Sequence, residues 1–176
     1  MTPLIPSLNW TRRHGVTCLA VMFATLLSGC AVVLISDYDE ATDKTVTAWI
    51  PLQKTPLEMG PLEFSAGSHQ IVEGRELEIS DDSEARIQQR LRVTDFKHVI
   101  EEFDLGEISF HSGWVFHRAG ANTTKEMRKV MTVIYMDRDM KLKNPDNENQ
   151  VKDWNTWCPG AEIGQVINSP INPVLY

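Results

Sequence analysis

From Thr45 to Leu52 (TVTAWIPL) apolar and polar positions alternate. Val46, Ala48, Ile50 and Leu52 fall on one face, and Thr45, Thr47 and Trp49 on the other. A period of two is that of a half-buried strand. Proline has no N–H for a ladder, so Pro51 marks an end or an edge. The same alternation over residues 128–136 (RKVMTVIYM) predicts the most secure strand of the chain. Shorter runs predict strands near 62–64, within HVIEEFDL (98–105) and EISFH (107–111), and at WVFH (114–117), with a break near Gly106. Asp81, Asp82 and Ser83 are capping residues for a short helix through about Leu91, which places Ile87 and Leu91 on one face. Residues 54–70 are rich in Pro and Gly and predict a loop. From Lys141 onward the chain is polar, then punctuated by Pro and Gly, and is expected to be irregular. Short strands with long loops make the fold class mainly β, a sandwich or barrel with little helix.

The first 36 residues have a different pattern. Residues 15–36 carry no charged side chain, and Arg12 and Arg13 precede them. Such a run is long enough to cross a hydrocarbon layer of roughly 30 Å as a helix, and the flanking arginines would keep its N-terminal side in the cytoplasm. Three readings stay open. The run is an apolar anchor helix, or a secretory signal in which Leu27-Ser28-Gly29-Cys30 is a lipoprotein box, or a segment that replaces the true N-terminal part. The chain thus divides into residues 1–36 and a body of 37–176. Localisation is membrane-associated if the anchor is real, and is otherwise the cytoplasmic one that the family resemblance described below implies.

Charge narrows the partners. All 24 acidic residues lie from Asp37 onward, against 15 of the 17 basic ones, so the body carries a net −9. A nucleic-acid backbone is therefore not its partner. A small anionic molecule in a local basic pocket is compatible with that charge. Three cysteines, Cys18, Cys30 and Cys158, do not make a disulfide framework.

The stretch GEISFHSGWVFHRAGANTTKEMR (106–128) carries the candidate chemistry. His117 is expected to end a strand, where a neutral imidazole binds divalent metals. Arg128 opens the next strand, and its planar fork suits a carboxylate. If the two strands are neighbours, both groups reach one cavity. A histidine for a metal and an arginine for a keto acid is what a 2-oxoglutarate oxygenase needs. On spacing alone, the structural reading of His117 is favoured. His111 is expected to pack beside Trp114, with a metal role as the alternative. His69 is expected to hydrogen-bond its loop, Asp37 and Asp39 to be solvated, and the Asn122-Thr123-Thr124 sequon to be fortuitous.

Several linked motifs, TAWIPL, MGPLEFSAGSHQ, GEISFHSGWVFHRAGAN, Arg128 and the closing INPVLY, resemble the phytanoyl-CoA dioxygenase family in order and spacing, over about residues 42–176. The resemblance implies a double-stranded β-helix (a cupin-like jelly roll) that uses iron(II), 2-oxoglutarate and oxygen to hydroxylate a small organic substrate. It matches His117 to the distal iron-binding histidine and Arg128 to the arginine that binds the 2-oxoglutarate carboxylate, with Trp49 or Trp114 nearby. It also requires an H-x-D pair before TAWIPL. The matching place is Val32 to Leu34, and no histidine of the chain is followed two residues later by Asp or Glu. The jelly roll is therefore expected to be incomplete, with either an unpaired sheet edge or one covered by the N-terminal segment. The alternative to an enzyme is an inactive remnant or a membrane-tethered binding protein.

Overall fold

The structure, a computed structural model, describes residues 16–25, 44–72 and 81–175. Strands β1 (Val16–Thr25), β2 (Thr45–Pro51), β3 (Leu62–Ala66), β4 (Lys97–Ile100), β5 (Ser109–Ser112), β6 (His117–Ala119) and β7 (Lys129–Asp137) are joined by helices α1 (Asp81–Thr94) and α2 (Glu148–Trp157). They form two antiparallel sheets, one ordered β1-β7-β2-β5 and one ordered β4-β3-β6. This is the mainly β fold that the pattern predicts, in the incomplete jelly-roll form that the family resemblance implies.

The alternating strands are where periodicity put them. Trp49 stands opposite Thr132, and Thr47 lies between Ile134 and His111. That face of the sheet, and not the Val46, Ala48, Ile50 and Leu52 face, closes on two apolar clusters, burying Thr47 and His111 with them. Trp49, Leu62 and Val130 form one, with Phe64 and Phe103 packed against it. Ile134 and Met136 join Met140, Leu142, Cys158, Ala161 and Ile167 in the other, flanked by Trp154 and Trp157 of α2. The buried positions drive the fold through the apolar area they remove from water.

The apolar N-terminal run was expected as a helix. Its described part, Val16–Thr25, is a strand paired with β7 along its length, and residues 26–36 lie outside the described residues. A continuous apolar run satisfies a helix or a central strand equally well; here the open side of β7 offers backbone partners. Among the described residues no helix is long and apolar enough to cross a membrane.

The strand expected at 114–117 begins instead at His117. Ser112 turns the chain first, its carbonyl accepting from Val115 N at 3.2 Å and its hydroxyl from Trp114 N at 3.3 Å. Nor are β6 and β7 neighbours: β6 pairs with β3, and β7 with β1 and β2.

The strand expected over 98–105 stops at Ile100. Gly106 turns the chain at φ 95, and Glu107 folds back so that its side chain accepts from Asp104 N at 2.7 Å.

Finally, the tail holds helix α2, which Asn147 caps by accepting from Gln150 N at 2.9 Å. The Gln150 side chain in turn accepts from Asp146 N at 2.6 Å. An Asn followed three residues later by Gln is a legible start signal.

Candidate functional site

Three rings from both sheets meet in the interior. His111 of β5 belongs to the four-stranded sheet; Phe64 of β3 and His117 of β6 face each other in the three-stranded one. Ring centroids are 4.7 Å apart for His111 and His117, 5.0 Å for Phe64 and His111, and 5.9 Å for Phe64 and His117. His111, expected beside Trp114, is thus packed against His117.

The two imidazoles differ. His117 Nδ1 lies 2.9 Å from the Val115 carbonyl. A carbonyl only accepts, so Nδ1 carries the proton and in the neutral ring the lone pair is on Nε2, the arrangement of a metal-binding histidine. His111 is buried, and among the described residues neither of its ring nitrogens has a hydrogen-bond partner. Burial, and then the neighbouring His117, pulls its pKa down to about 3. It is a neutral imidazole at any ordinary pH.

Arg128 sits just before β7 and reaches back across the core. Its Nη1 donates to the carbonyls of Met59 (3.0 Å), Gly60 and Gly120 (3.3 Å). The loop holding Met59 and Gly60 is fixed to the loop after β6, where the Thr123 amide and hydroxyl both donate to the Glu58 carbonyl, at 2.8 and 3.1 Å. Three carbonyls orient the guanidinium but supply no countercharge, and among the described residues no carboxylate pairs with it. Burial lowers its pKa, yet a guanidinium keeps its charge. The result is an oriented, partly buried cation.

Along the β3–β6 ladder, Phe64 pairs with His117 and Leu62 with Ala119, and Gly120 follows. His117 and the Arg128 anchorage are therefore about 10 Å apart, three residues at roughly 3.3 Å each. Trp49 packs with Leu62 and Val130 on the same side.

A further charged group was not singled out in the sequence. Glu63 is buried, and its carboxylate accepts from Arg118 Nε and His98 Nε2, each at 2.6 Å. One position along from Phe64, it projects from the opposite face of β3 and ties β4 and β6 to it. Asn122 Oδ1 accepts from the Thr124 amide at 3.0 Å and hydroxyl at 2.7 Å, which makes this segment a self-bonded turn. Val32, Leu34, Asp37 and Asp39 lie outside the described residues.

Among the described residues, no three His, Cys, Asp or Glu side chains converge. The described residues bring together one oriented imidazole, His117, and one imidazole without a hydrogen-bond partner among them, His111. These residues do not fit a histidine–carboxylate iron site.

The family model for phytanoyl-CoA dioxygenase (PhyH) matches residues 33–130, more than half the chain. None of the curated proteins matches significantly. Among solved structures, the chain is similar to the non-heme alpha ketoglutarate dependent epimerase SnoN from nogalamycin biosynthesis, at TM-score 0.65 and 19% identity over 92% of this chain and 65% of that one. SnoN has been crystallised with Fe3+, alpha ketoglutarate and nogalamycin RO. The alpha ketoglutarate dependent carbocyclase SnoK of the same pathway matches at TM-score 0.66 and 21% identity, over 92% of this chain and 63% of that one. EctD from S. alaskensis, solved with 2-oxoglutarate and 5-hydroxyectoine, matches at TM-score 0.50 and 15% identity, over 73% and 43%. The chain spans just under two thirds of the length of SnoN and SnoK. With its motifs, sheets and family match in agreement, this chain belongs to the phytanoyl-CoA dioxygenase family.

Proposed function

We propose that residues 37–176 are the C-terminal part of an iron(II)/2-oxoglutarate oxygenase barrel that keeps the oxoacid-binding half of the site and lacks the H-x-D half. On this reading the chain binds a small dicarboxylate, 2-oxoglutarate in the family's chemistry, at Arg128. It holds iron(II) poorly and does not turn the oxoacid over. The observation that carries the reading is the Arg128 guanidinium, oriented by the Met59, Gly60 and Gly120 carbonyls and without a carboxylate partner among the described residues. A planar cation so placed accepts a carboxylate through paired charge-assisted bonds. The missing half rests on the sequence, in which no H-x-D or H-x-E occurs.

The test has two arms. Titration calorimetry should detect 2-oxoglutarate binding that Arg128→Gln weakens at least tenfold. Succinate release with iron(II), ascorbate and 2-oxoglutarate should stay at background. Robust release that vanishes in His117→Ala would overturn the inactive reading and return the chain to the active oxygenases, with Asp37 and Asp39 the first residues to examine. No binding of 2-oxoglutarate would remove the assignment to Arg128.

A further inference from the structure

We propose that His111 is the specificity-determining residue for the oxoacid held at Arg128: its imidazole N–H donates to the 2-oxo oxygen and so selects a 2-oxo acid over the plain dicarboxylate. The inference rests on the Arg128 reading above and adds the group that meets the far end of the ligand.

Three observations carry it. First, His111 is 9% exposed, and among the described residues neither ring nitrogen has a hydrogen-bond partner. A neutral imidazole has one N–H donor and one acceptor nitrogen, and burying both unmet costs stability unless a ligand meets them. Second, the ring faces the space between the sheets. His111 stands opposite Thr47, on the face of the four-stranded sheet that closes on the core, and its ring lies 5.0 Å from that of Phe64 in the other sheet. Third, the length suits the ligand. The Phe64 level of the β3–β6 ladder is about 10 Å from the Gly60 and Gly120 carbonyls that seat the guanidinium, three residues at roughly 3.3 Å each. In 2-oxoglutarate an extended run from the C5 carboxylate to the C2 oxo carbon covers about 4 Å. The C–O bond and hydrogen bond at each end add about 3–4 Å, which gives about 10–12 Å in all.

The chemistry of the two ends differs accordingly. Arg128 is a fixed cation and takes a carboxylate. His111 stays neutral, because burial and then the neighbouring His117 pull its pKa down to about 3. A neutral donor does not balance a buried carboxylate, and it suits a carbonyl oxygen, which is neutral and only accepts. Between the two ends the ladder carries Leu62 and Ala119, side chains that suit methylene groups. Glutarate would fill the same length and leave the imidazole N–H unmet.

The experiment compares 2-oxoglutarate with glutarate, which keeps both carboxylates and lacks the oxo group. Titration calorimetry of the full chain, with metal removed by chelator, should show 2-oxoglutarate binding at least fivefold more tightly, about the worth of one hydrogen bond. His111→Phe, similar in size and already beside Phe64, should bind glutarate as the wild-type protein does and lose the preference. His111→Gln keeps a donor and should retain part of it. Arg128→Gln should weaken both acids at least tenfold. Nitrogen resonances of histidine-labelled wild-type protein give a readout that depends on no variant folding. Those of His111, recognisable as an imidazole that stays neutral at about pH 5, should move with 2-oxoglutarate and stay in place with glutarate. Equal affinity for the two acids in the wild-type protein overturns this proposal and leaves the Arg128 reading standing. So does an unchanged preference in folded His111→Phe, or His111 resonances that ignore 2-oxoglutarate at saturation. Binding of neither acid removes the Arg128 reading and this proposal with it.

Discussion

Gly60 and Gly120 touch where two loops close on the Arg128 guanidinium. Gly60 holds φ at 69, and a Cβ built there would overlap the Gly120 carbonyl, the same carbonyl that accepts from Arg128. Glycine is needed at position 60 on both counts: other residues rarely adopt this φ, and no side-chain atom fits. Gly60→Ala should therefore destabilise by about 1–3 kcal/mol from backbone strain alone, with the steric overlap adding to it. Urea unfolding with circular dichroism measures the loss. A change under about 0.5 kcal/mol, the range of neutral surface substitutions, would show that the loops separate freely.

Arg128 is expected to act on stability as well as on anion binding. Arg128→Ala removes the donor for the Met59 and Gly60 carbonyls, both in buried residues. A buried acceptor left without a partner costs about 1–3 kcal/mol. Arg128→Lys restores a charge but not the planar fork, so it should recover part of the stability and little of the 2-oxoglutarate affinity. Equal recovery of both would mean that the guanidinium geometry is irrelevant. Parallel unfolding and calorimetry on the two variants separate these outcomes.

His111 gives the fold an acid-sensitive limb. Its folded pKa is about 3, below the ordinary 6.5 that it regains on unfolding. The unfolded state therefore binds the proton first. The stability that keeps His111 neutral is fully present above about pH 6.5 and is lost as pH falls toward about 3. The slope reaches at most about 1.4 kcal/mol per pH unit. His111→Phe should flatten that limb in metal-free protein. At pH 7 it should be neutral or stabilising by about 1 kcal/mol, since it removes an unpartnered buried imidazole. Urea midpoints at pH 7, 6 and 5 for both proteins check this. The same slope in the variant would place the acid sensitivity elsewhere.

Glu63 is expected to be structural. Arg118 and His98 both hold its carboxylate and are themselves more than half exposed. Glu63→Ala frees both partners into water rather than stranding them, so the cost should be moderate, about 1–2 kcal/mol. The substitution should leave the 2-oxoglutarate affinity unchanged, because Glu63 projects from the face of β3 opposite Phe64. A tenfold loss of that affinity would connect the Glu63 network to the site.

By itself the sequence made the two long alternating strands, β2 and β7, legible, and through the family resemblance it proposed His117 and Arg128 as site residues. A period of two identifies β2 and β7 as strands, because successive side chains point to opposite faces whatever the strand pairs with; it does not say which face of β2 meets the core, where Trp49 packs from the face of Thr47 while Val46 and Ile50 are half-buried and Leu52 is exposed. The linked motifs singled out His117 and Arg128, and the absence of H-x-D is a property of the letters alone. Periodicity carries no information about partners, and the tertiary structure decided those. An uncharged apolar run suits a helix or a strand, and only the open side of β7 makes Val16–Thr25 a strand. His111 and His117 are six residues apart in the chain but belong to different sheets. The turn after Ser112 folds His117 over so that the two rings meet, and no local pattern encodes that contact. Arg128 likewise reaches Gly60 and Gly120 through the packing of two loops distant in sequence from each other. Strand alternation is a local consequence of backbone geometry. The site is a non-local one, assembled where the sheets and loops close on each other.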